Sequence, residues 1–470
     1  MNKKSLELLV KICGIFLILA FIFKFAGGES LNYKYVDNGM PQMAGMLEEL
    51  TAGMVVRQDF TVESETLETI DLPVSTYGRE NEGLLQLELA DSNGNVIASH
   101  SEDVKNLLDT APFRWALVPA IENTKGKTYQ LRLTTTSGVG TAPTVFFSWL
   151  DTGKILVNDE VRTGVMICFD YVGKNYFLFG VYYWYFVFIG LLLLVLYGFW
   201  SVFCEKKGKI TIVLYLIIVW RRYEFLIKQM VSRDFKTKYK RSILGYLWSF
   251  LNPLLTMMVQ YIVFSQVFRS SINNFPVYLL SATILFGFFT EAVGQGLTSI
   301  VGNASLITKV YVPKYIYPIT KVVSCSINLI ISIIPLLIVT LLTGGQITKA
   351  ILVLPFVLVC LLLFSAGMSL LLSTTMVFFR DTQYLWGIIS LAWMYATPLF
   401  YPESIIPDKF RLILTLNPMY HYIHFARTVL MEGISPEPAA YLTCGCTAML
   451  MCAAGMLVFK RFQDRFVLFV

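Results

Sequence analysis

The sequence predicts a multi-pass α-helical membrane protein, with about eight spans and both termini cytoplasmic, that carries an inserted extracellular all-β, sandwich-like domain. Three observations predict this class. Of the 470 residues, 55% are apolar and only 15% are charged, whereas an average soluble protein is roughly 25% charged. Apolar runs of the length that crosses a bilayer, about 20 residues, recur along the chain. An acidic stretch with strand-like patterning separates the first two of these runs.

Charge divides the chain in the same way. Residues 26–177 hold 11 basic and 21 acidic side chains, a net of −10, so the rest carries +16 and the whole chain +6. This positive charge borders apolar runs, which favours membrane lipids over nucleic acid as its partner. Seven of the eight cysteines lie in or beside apolar runs, and only Cys168 lies in the acidic stretch. No disulfide framework is therefore expected.

The first two helices are expected within residues 1–26 and 176–204. The alternative for the first is a cleaved signal sequence, which is less favoured because no small-residue cleavage motif closely follows the apolar run. Basic flanks mark the cytoplasmic side of a span, so residues 27–175 are expected outside. The flanking lysines are Lys3, Lys4, Lys206, Lys207 and Lys209.

The domain at 27–175 is expected to be a β-sandwich. Short alternating or apolar runs recur in it, separated by turn sequences such as residues 91–95. Seven or so such strands in a domain of this length are typical of a sandwich held by its apolar core. The predicted strands are 55–62, 84–90, 96–99, 113–118, 129–135, 144–150 and 165–171.

Residues 205–242 are expected to lie in the cytoplasm and to contain an amphipathic helix at 222–241. An apolar residue recurs in that helix every four positions from Tyr223 to Tyr239, and lysines follow another face. Such a helix lies in the membrane interface with its basic side toward lipid phosphates. The alternative is a soluble helix that packs on protein.

Residues 243–470 are expected to form a six-span domain. The connections that alternation places inside are richer in Lys and Arg than the outer ones, as the charge rule requires. The segment 401–438 is too polar to span, and it contains an amphipathic run at 417–430. The six predicted spans are 243–268, 277–301, 317–342, 350–378, 384–400 and 439–458.

The chain carries no motif for nucleotide hydrolysis or covalent catalysis. It lacks the phosphate loop Gly-x-x-x-x-Gly-Lys-Ser/Thr, and also Gly-x-Ser-x-Gly, Cys-x-x-Cys and His-Glu-x-x-His. We therefore expect a transport subunit rather than an enzyme, with no cofactor or metal of its own. His421 and His424 are spaced for either a metal pair or, more commonly, structural roles. Glu291 is the clear intramembrane carboxylate, and proton coupling through it is an alternative.

Three stretches resemble the ABC-2 type polysaccharide exporter permeases, the membrane subunits that export teichoic acid, O-antigen and related lipid-linked glycans. Residues 233–248, RDFKTKYKRSILGYLW, continuing to Asn252 and Pro253, resemble the interface helix and first span of that family. Residues 303–313, NASLITKVYVP, are similar to its first cytoplasmic loop, and residues 378–381, FFRD, to its second. The similarity covers about residues 222–470. The first 205 residues of the chain are additional to the family pattern.

The resemblance implies a half-transporter that moves a lipid-linked polysaccharide across the plasma membrane. Two copies of this chain would assemble with two copies of a separate nucleotide-binding ATPase, which would hold ATP and Mg²⁺. The two cytoplasmic loops would dock on the ATPase. The residues implied in this coupling are Asn303, Ala304, Ser305, Leu306, Ile307, Lys309, Pro313, Arg380 and Asp381.

The resemblance also implies contacts with the substrate. Lipid phosphate would meet basic residues of the interface helix, since Lys and Arg bind phosphate well; these are Lys228, Arg233, Lys236, Lys238 and Lys240. Aromatic rings would give the channel weak, repeated sugar sites; these are Tyr246, Trp248, Phe250, Tyr261, Trp386, Trp393 and Tyr395. The segment 401–438, here called the gate segment, would form the outer gate. The external domain is loosely similar to carbohydrate-binding modules and would contact glycan through Tyr77, Trp115 and Trp149.

Three other functions stay open at this point. An ABC-2 exporter of a drug or small lipid would not need tiers of aromatic side chains. A membrane receptor or scaffold would bind cell-wall glycan through the external domain and transport nothing. A secondary transporter would depend on Glu291.

Overall fold

A computed structural model describes residues 3–207, 211–239, 244–245, 247–267, 272, 274–307 and 312–469. The chain divides into two compact units. The helical unit comprises Met1–Leu31 and Tyr182–Val470, and the β unit comprises Asn32–Val181. The expected boundaries of the inserted domain were residues 27 and 175.

The helical unit contains helices of very different lengths. The long ones are α1 (Lys3–Gly27), α3 (Tyr183–Lys206), α4 (Ile212–Tyr239), α5 (Leu247–Val267), α6 (Phe275–Thr298), α8 (Ile316–Leu342), α9 (Leu354–Phe378), α10 (Thr382–Ala396) and α13 (Pro438–Phe462). The short ones are α7 (Ala304–Ile307), α11 (Arg411–Thr415), α12 (Pro418–Arg427) and α14 (Phe466–Phe469), whereas α2 (Leu178–Val181) belongs to the β unit.

Seven helices among the described residues are long and apolar enough to cross a membrane, namely α1, α3, α5, α6, α8, α9 and α13. About eight were expected. The remaining candidate, predicted at 384–400, is α10, whose 15 residues extend only about 22 Å against a hydrocarbon core of roughly 30 Å. α10 ends where it does because Pro398 disfavours the helical conformation at the residue before it, and Thr397 is extended, with φ −106° and ψ 131°.

The core of the helical unit is one large apolar cluster to which α6, α8, α9, α12 and α13 contribute. α9 and α13 approach most closely at two glycines: a Cβ added to Gly455 would lie 2.1 Å from the carbonyl oxygen of Gly367. Small residues permit such close approach of helices in a membrane. α1 joins the same cluster, since the ring of Phe23 lies 4.9 Å from that of Tyr441.

The β unit is antiparallel throughout. Its strands follow the order β1-β11-β4-β9-β3-β8-β5-β6, with β2 and β10 also paired to β9 and β7 paired to β4. The strands are β1 (Tyr33–Asp37), β2 (Gly45–Met46), β3 (Val55–Thr61), β4 (Thr66–Ser75), β5 (Leu84–Ala90), β6 (Val96–Asp103), β7 (Pro112–Glu122), β8 (Thr128–Thr135), β9 (Thr144–Val157), β10 (Glu160–Ile167) and β11 (Asp170–Tyr176).

Most of the predicted strands are present, with two kinds of difference. The predicted strand at 165–171 covers the end of β10 and the start of β11, and β1, β2 and β4 were not predicted. β4 pairs with both β7 and β11 and is largely buried. Its second half, residues 69–75 (TIDLPVS), does alternate, but Pro73 interrupts the run, and a proline within a run weakens a strand signal.

One apolar cluster fills the β unit and takes side chains from strands across its whole order. Leu67 and Ile70 of β4 and Leu131 and Leu133 of β8 are fully buried in it. Trp115 of β7 belongs to the same cluster, with only 4% of its surface exposed. The β unit therefore has a hydrophobic core of its own.

Candidate functional site

A polar cleft of about 480 Å³ lies between α5, α6 and α8, and Lys238 of α4 reaches it. Each of the three spans contributes side chains from one face of its helix to the lining of the cleft. α5 presents Ser249, Asn252 and Thr256, which lie three and four residues apart and therefore share one side of the helix. Polar side chains inside a membrane protein face the bundle interior or a water-filled space. The cleft is accordingly the part of the described spans that suits a hydrated substrate.

The cleft is held by hydrogen bonds between helices. The hydroxyl of Ser249 donates to Oδ1 of Asn328 on α8 at 3.1 Å, and that of Ser332 donates to the carbonyl oxygen of Ser249 at 3.1 Å. Trp248 lines the mouth of the cleft and is 42% exposed. The site thus combines hydroxyl and amide groups with two aromatic side chains, the exposed Trp248 and the buried Phe288, a combination that suits sugar rings.

Two ion pairs join α4 to the spans beside the cleft. Lys238 Nζ lies 2.6 Å from Oε1 of Glu291 on α6, and Lys321 Nζ of α8 lies 2.7 Å from Oδ2 of Asp234. Asp234, Lys238 and Lys321 line a second cavity, of about 270 Å³. Glu291 therefore has a cationic partner at the cleft.

The structure places the other basic residues of α4 in different surroundings. Lys228 is paired with Glu224 of the same helix at 2.6 Å, and Arg233 lies 3.3 Å from Asp234. Lys236 is exposed. Lys240 lies outside the described residues. The predicted phosphate-binding side chains thus do not converge on one point among the described residues.

The apolar side of α4 packs on protein. Ile227 and Met230 are buried in a cluster with Ile300, at the end of α6, and Ile316, at the start of α8. The predicted helix is present as part of Ile212–Tyr239, and its apolar stripe contacts the segment that joins α6 to α8. That packing is the alternative considered for it, a helix that packs on protein, and its place in the membrane interface stays a prediction. The same cluster contains Phe459 and other side chains near the end of the chain.

The first predicted coupling loop begins with a 3-10 turn, Val301–Asn303, followed by α7. The side-chain amide of Asn303 donates back to the carbonyl oxygen of Ser299 at 2.7 Å, which ties this turn to the end of α6. Ser305 and Leu306 are exposed, whereas Asn303, Ala304 and Ile307 are half-buried. Lys309 lies outside the described residues, and Pro313 is half-buried.

The second predicted coupling loop connects α9 to α10. Arg380 and Asp381 are exposed. Phe378, at the end of α9, connects this loop to the first one. Its ring lies 5.8 Å from that of Phe462, and it packs on the apolar cluster that also contains Val301 and Ile307 of the first loop. The structure therefore brings the two loops to one apolar cluster, together with α4.

The predicted channel aromatics fall into two groups. Trp386 is 7% exposed, and the rings of Trp386 and Trp393 lie 5.8 and 5.1 Å from that of Phe289 in the apolar core. Trp386 therefore packs inside the bundle, and Trp393 is half-buried against the same core. Trp248, Tyr261 and Tyr395 are exposed, Phe250 is half-buried, and Tyr246 lies outside the described residues.

The gate segment is organised by Asn417. The Oδ1 atom of Asn417 accepts from the backbone N–H of Met419 at 3.0 Å, which caps α12, and from Nε1 of Trp393 at 2.8 Å. Its amide donates to the hydroxyl of Thr397 at 2.8 Å. One buried side chain thus ties α12 to α10, and the predicted amphipathic run at 417–430 begins as the helix α12.

A network of polar contacts also holds the gate segment in place. Arg427 is buried, donates to the carbonyl oxygens of Pro398 and Leu399, and lies with its guanidinium 3.3 Å from the ring centre of Tyr278. Burial lowers the pKa of Arg427 to about 10, so it remains charged at neutral pH. The network fixes the chain that follows α10 against α6.

Glu403 is the acidic member of the network. It accepts from the hydroxyl of Tyr420 at 2.9 Å and faces Nδ1 of His424 at 3.4 Å. The hydrogen bond to Glu403 raises the pKa of His424 above its usual value. Nε2 of His421 contacts the carbonyl oxygen of Thr415 at 2.8 Å. The two histidines therefore have separate partners, which suits the structural roles considered for them.

The three aromatic residues predicted to contact glycan in the β unit are not equivalent. Trp149 is 68% exposed, with its ring 5.2 Å from that of Phe147. Tyr77 is 40% exposed and carries the guanidinium of Arg79 at 4.8 Å over its ring. Trp115 is buried in the core, so it presents no surface to a ligand. They do not form one platform.

Sequence reasoning missed Asn417 and the pairing of Asp234 with Lys321. Asp234 was visible as the one acidic residue between positions 233 and 241, which are otherwise basic or uncharged. Its partner is 87 residues away on another helix, and no spacing rule reaches that far. Asn417 was visible as an Asn-Pro pair before an amphipathic run, which is an N-cap signal.

Comparisons with known proteins agree on one family. The family described as ABC-2 type transporter matches residues 225–431. The chain is 30% identical over 247 residues to the O-antigen export system permease protein RfbA of Myxococcus xanthus, covering 52% of this chain and 95% of that protein. It is 30% identical over 244 residues to the protein of the same name from Klebsiella pneumoniae, covering 51% and 93%.

A more distant relative is the polysialic acid transport protein KpsM of Escherichia coli, 22% identical over 218 residues that cover 45% of this chain and 83% of that protein. The family match includes α5 to α12. It begins after α1, α3 and the β unit, which therefore lie outside the matched range.

Proposed function

The chain belongs to the ABC-2 type transporter family, and from that membership we propose that it is the permease subunit of an ATP-driven exporter of a lipid-linked polysaccharide. The observation that carries the proposal is the match, at 30% identity, to 95% of an O-antigen export permease. The chain is a multi-pass protein of the plasma membrane, and seven helices within its described residues are long and apolar enough to cross it.

The energy is proposed to come from a separate ATPase that holds ATP and Mg²⁺, in an assembly of two copies of each chain. Support comes from the two loops predicted to dock on it, since residues 301–307 and Phe378 meet one apolar cluster with α4. Motion imposed on either loop would reach the same group of side chains.

The path of the glycan is proposed to pass the polar cleft. The cleft offers hydroxyl and amide groups from three spans and the exposed ring of Trp248. Basic residues of α4, among them Lys236, would meet the phosphate of the lipid carrier. The gate segment would close the outer end, and the β unit, on the outer side, would contact emerging glycan through Trp149.

Replacing the aromatic face of the cleft tests this path. In cells that make the polymer, Trp248→Ala is expected to reduce surface glycan strongly, since the ring would be lost from the proposed sugar path. Trp200→Ala is the control, because Trp200 is 55% exposed on α3 and does not line the cleft. Glycan export that survives Trp248→Ala unchanged would favour an exporter of a drug or small lipid.

Purification separates the permease from a receptor or scaffold. The tagged chain, extracted from its own membranes, is expected to bring down a nucleotide-binding subunit in equal amount. Membranes that yield the chain without such a subunit, under conditions that preserve other ABC complexes, would favour the receptor.

A further inference from the structure

α4 carries two opposite charges one helical turn apart, and each is paired with a different helix. Asp234 pairs with Lys321 of α8, and Lys238 pairs with Glu291 of α6. Residues four apart lie on the same face of a helix, so one face of α4 is joined to two spans. The side chains of Asp234 and Lys321 are 12% and 21% exposed.

The two partner helices are those that flank the first coupling loop. Glu291 lies two turns before α6 ends at Thr298, and Lys321 lies within two turns of the start of α8 at Ile316. Residues 301–307 lie between them. Both ends of the loop are therefore attached to α4 through charge, and the apolar stripe of α4 packs on the same ends through Ile300 and Ile316.

We propose that Asp234, Lys238, Glu291 and Lys321 form an electrostatic clamp that makes α4 move together with the first coupling loop. These four are positioning residues, because they would act through α4 on the neighbouring cleft rather than on the substrate itself. The inference rests on the proposed function, and it adds that α4 conveys the motion of the ATPase to the cleft.

The charges suit such a role for a physical reason. Removing one partner of a half-buried ion pair leaves the other charge uncompensated, which costs more than the pair gained by forming. This penalty is larger for Asp234 and Lys321, at 12% and 21% exposed, than for Lys238 and Glu291, at 41% and 34%, where solvent screens the charges. Cavities of about 480 and 270 Å³ beside α4 leave room for it to move when the pairs separate.

The test measures transport and ATP hydrolysis together in the reconstituted complex of permease and ATPase. The variant Asp234→Lys is expected to lower the amount of glycan moved per ATP hydrolysed by roughly five- to tenfold, the usual size of a coupling between sites, while ATP hydrolysis persists. The combined Asp234→Lys and Lys321→Asp exchange is expected to restore that ratio, because it rebuilds the pair with reversed polarity. Glu291→Gln is also expected to lower the amount of glycan moved per ATP hydrolysed, as Asp234→Lys does.

Glu224→Gln is the matched control, since Glu224 pairs with Lys228 within α4 and forms no ion pair with another helix among the described residues. A transport-to-hydrolysis ratio that is unchanged by Asp234→Lys, or that the exchange fails to restore although the exchanged protein is folded and assembled, overturns the clamp. If wild-type complex moves no glycan while hydrolysing ATP, the proposed function fails instead, and the two results are distinguishable.

Discussion

Asn417 shows how one side chain can order a whole segment. It is 7% exposed, caps α12, accepts from the indole of Trp393 and donates to Thr397. Asn417→Ala would remove the cap and leave two buried groups without their partner, a loss of roughly 2–4 kcal/mol. We expect the Asn417→Ala variant to have a lower midpoint of thermal unfolding than the wild type, measured in detergent by tryptophan fluorescence. Thr415→Ala, at an exposed neighbouring position, should leave the midpoint unchanged; an equal effect of both would contradict the role of Asn417.

His424 makes the stability of the gate segment depend on pH. Its hydrogen bond to Glu403 raises the pKa of His424 and burial opposes that shift, while Glu432 adds to it and Arg427 reduces it. A raised folded-state pKa gives stabilisation that is complete below the unfolded value of about 6.5 and is lost as the pH rises through the folded value.

The unfolding midpoint of the wild type should therefore exceed that of His424→Gln at low pH, and the difference should shrink as the pH rises. The measurement is a series of thermal melts across this range. His421→Gln, which alters a contact with a backbone carbonyl, should keep the wild-type pH dependence. A pH dependence that disappears with His421→Gln and persists with His424→Gln would reverse the assignment.

The pairing of α9 with α13 depends on glycine rather than on larger apolar side chains. A Cβ at Gly455 would meet the backbone of Gly367 at 2.1 Å, and one at Gly367 would meet the carbonyl oxygen of Met451 at 2.4 Å. Gly455→Val should force the helices apart, with a loss of about 1–3 kcal/mol or more from overpacking. Gly445→Ala on the same helix is the control, since its Cβ would lie 4.0 Å from Phe356. Equal unfolding midpoints for the two variants would refute the close crossing.

The elements differ in how far sequence determines them. Long apolar runs predicted α1, α3, α6, α8, α9 and α13 well, because hydropathy acts within one segment. α10 was predicted two residues late and carried past Pro398, since a run of apolar letters does not reveal where a helix ends. Trp386 and Trp393 were expected in the channel and pack against Phe289, because the face that a buried helix turns inward is decided by its neighbours. The clamp at Asp234 depends on contacts between distant helices.

The two units of the molecule have separate hydrophobic cores. A fragment of residues 32–181 should therefore fold without the membrane part, and its excess of acidic side chains should keep it soluble. We expect β-type circular dichroism and one cooperative unfolding transition. Leu131→Ala should cost about 2–5 kcal/mol because Leu131 is fully buried, whereas Trp149→Ala should change stability by less than about 0.5 kcal/mol. A fragment without a cooperative transition would show that the core needs the rest of the chain.

The whole chain lacks a phosphate loop, so in vesicles without a partner it should move no glycan with ATP present. A pH gradient imposed on the same vesicles should also drive nothing, because the carboxylate of Glu291 is engaged by Lys238 at 2.6 Å in a contact that joins two helices. Adding the ATPase should start transport, and Glu291→Gln should then alter the amount moved per ATP without creating any dependence on the gradient. Transport by the chain alone, driven by either source, would contradict both the division of labour and the clamp that depends on it.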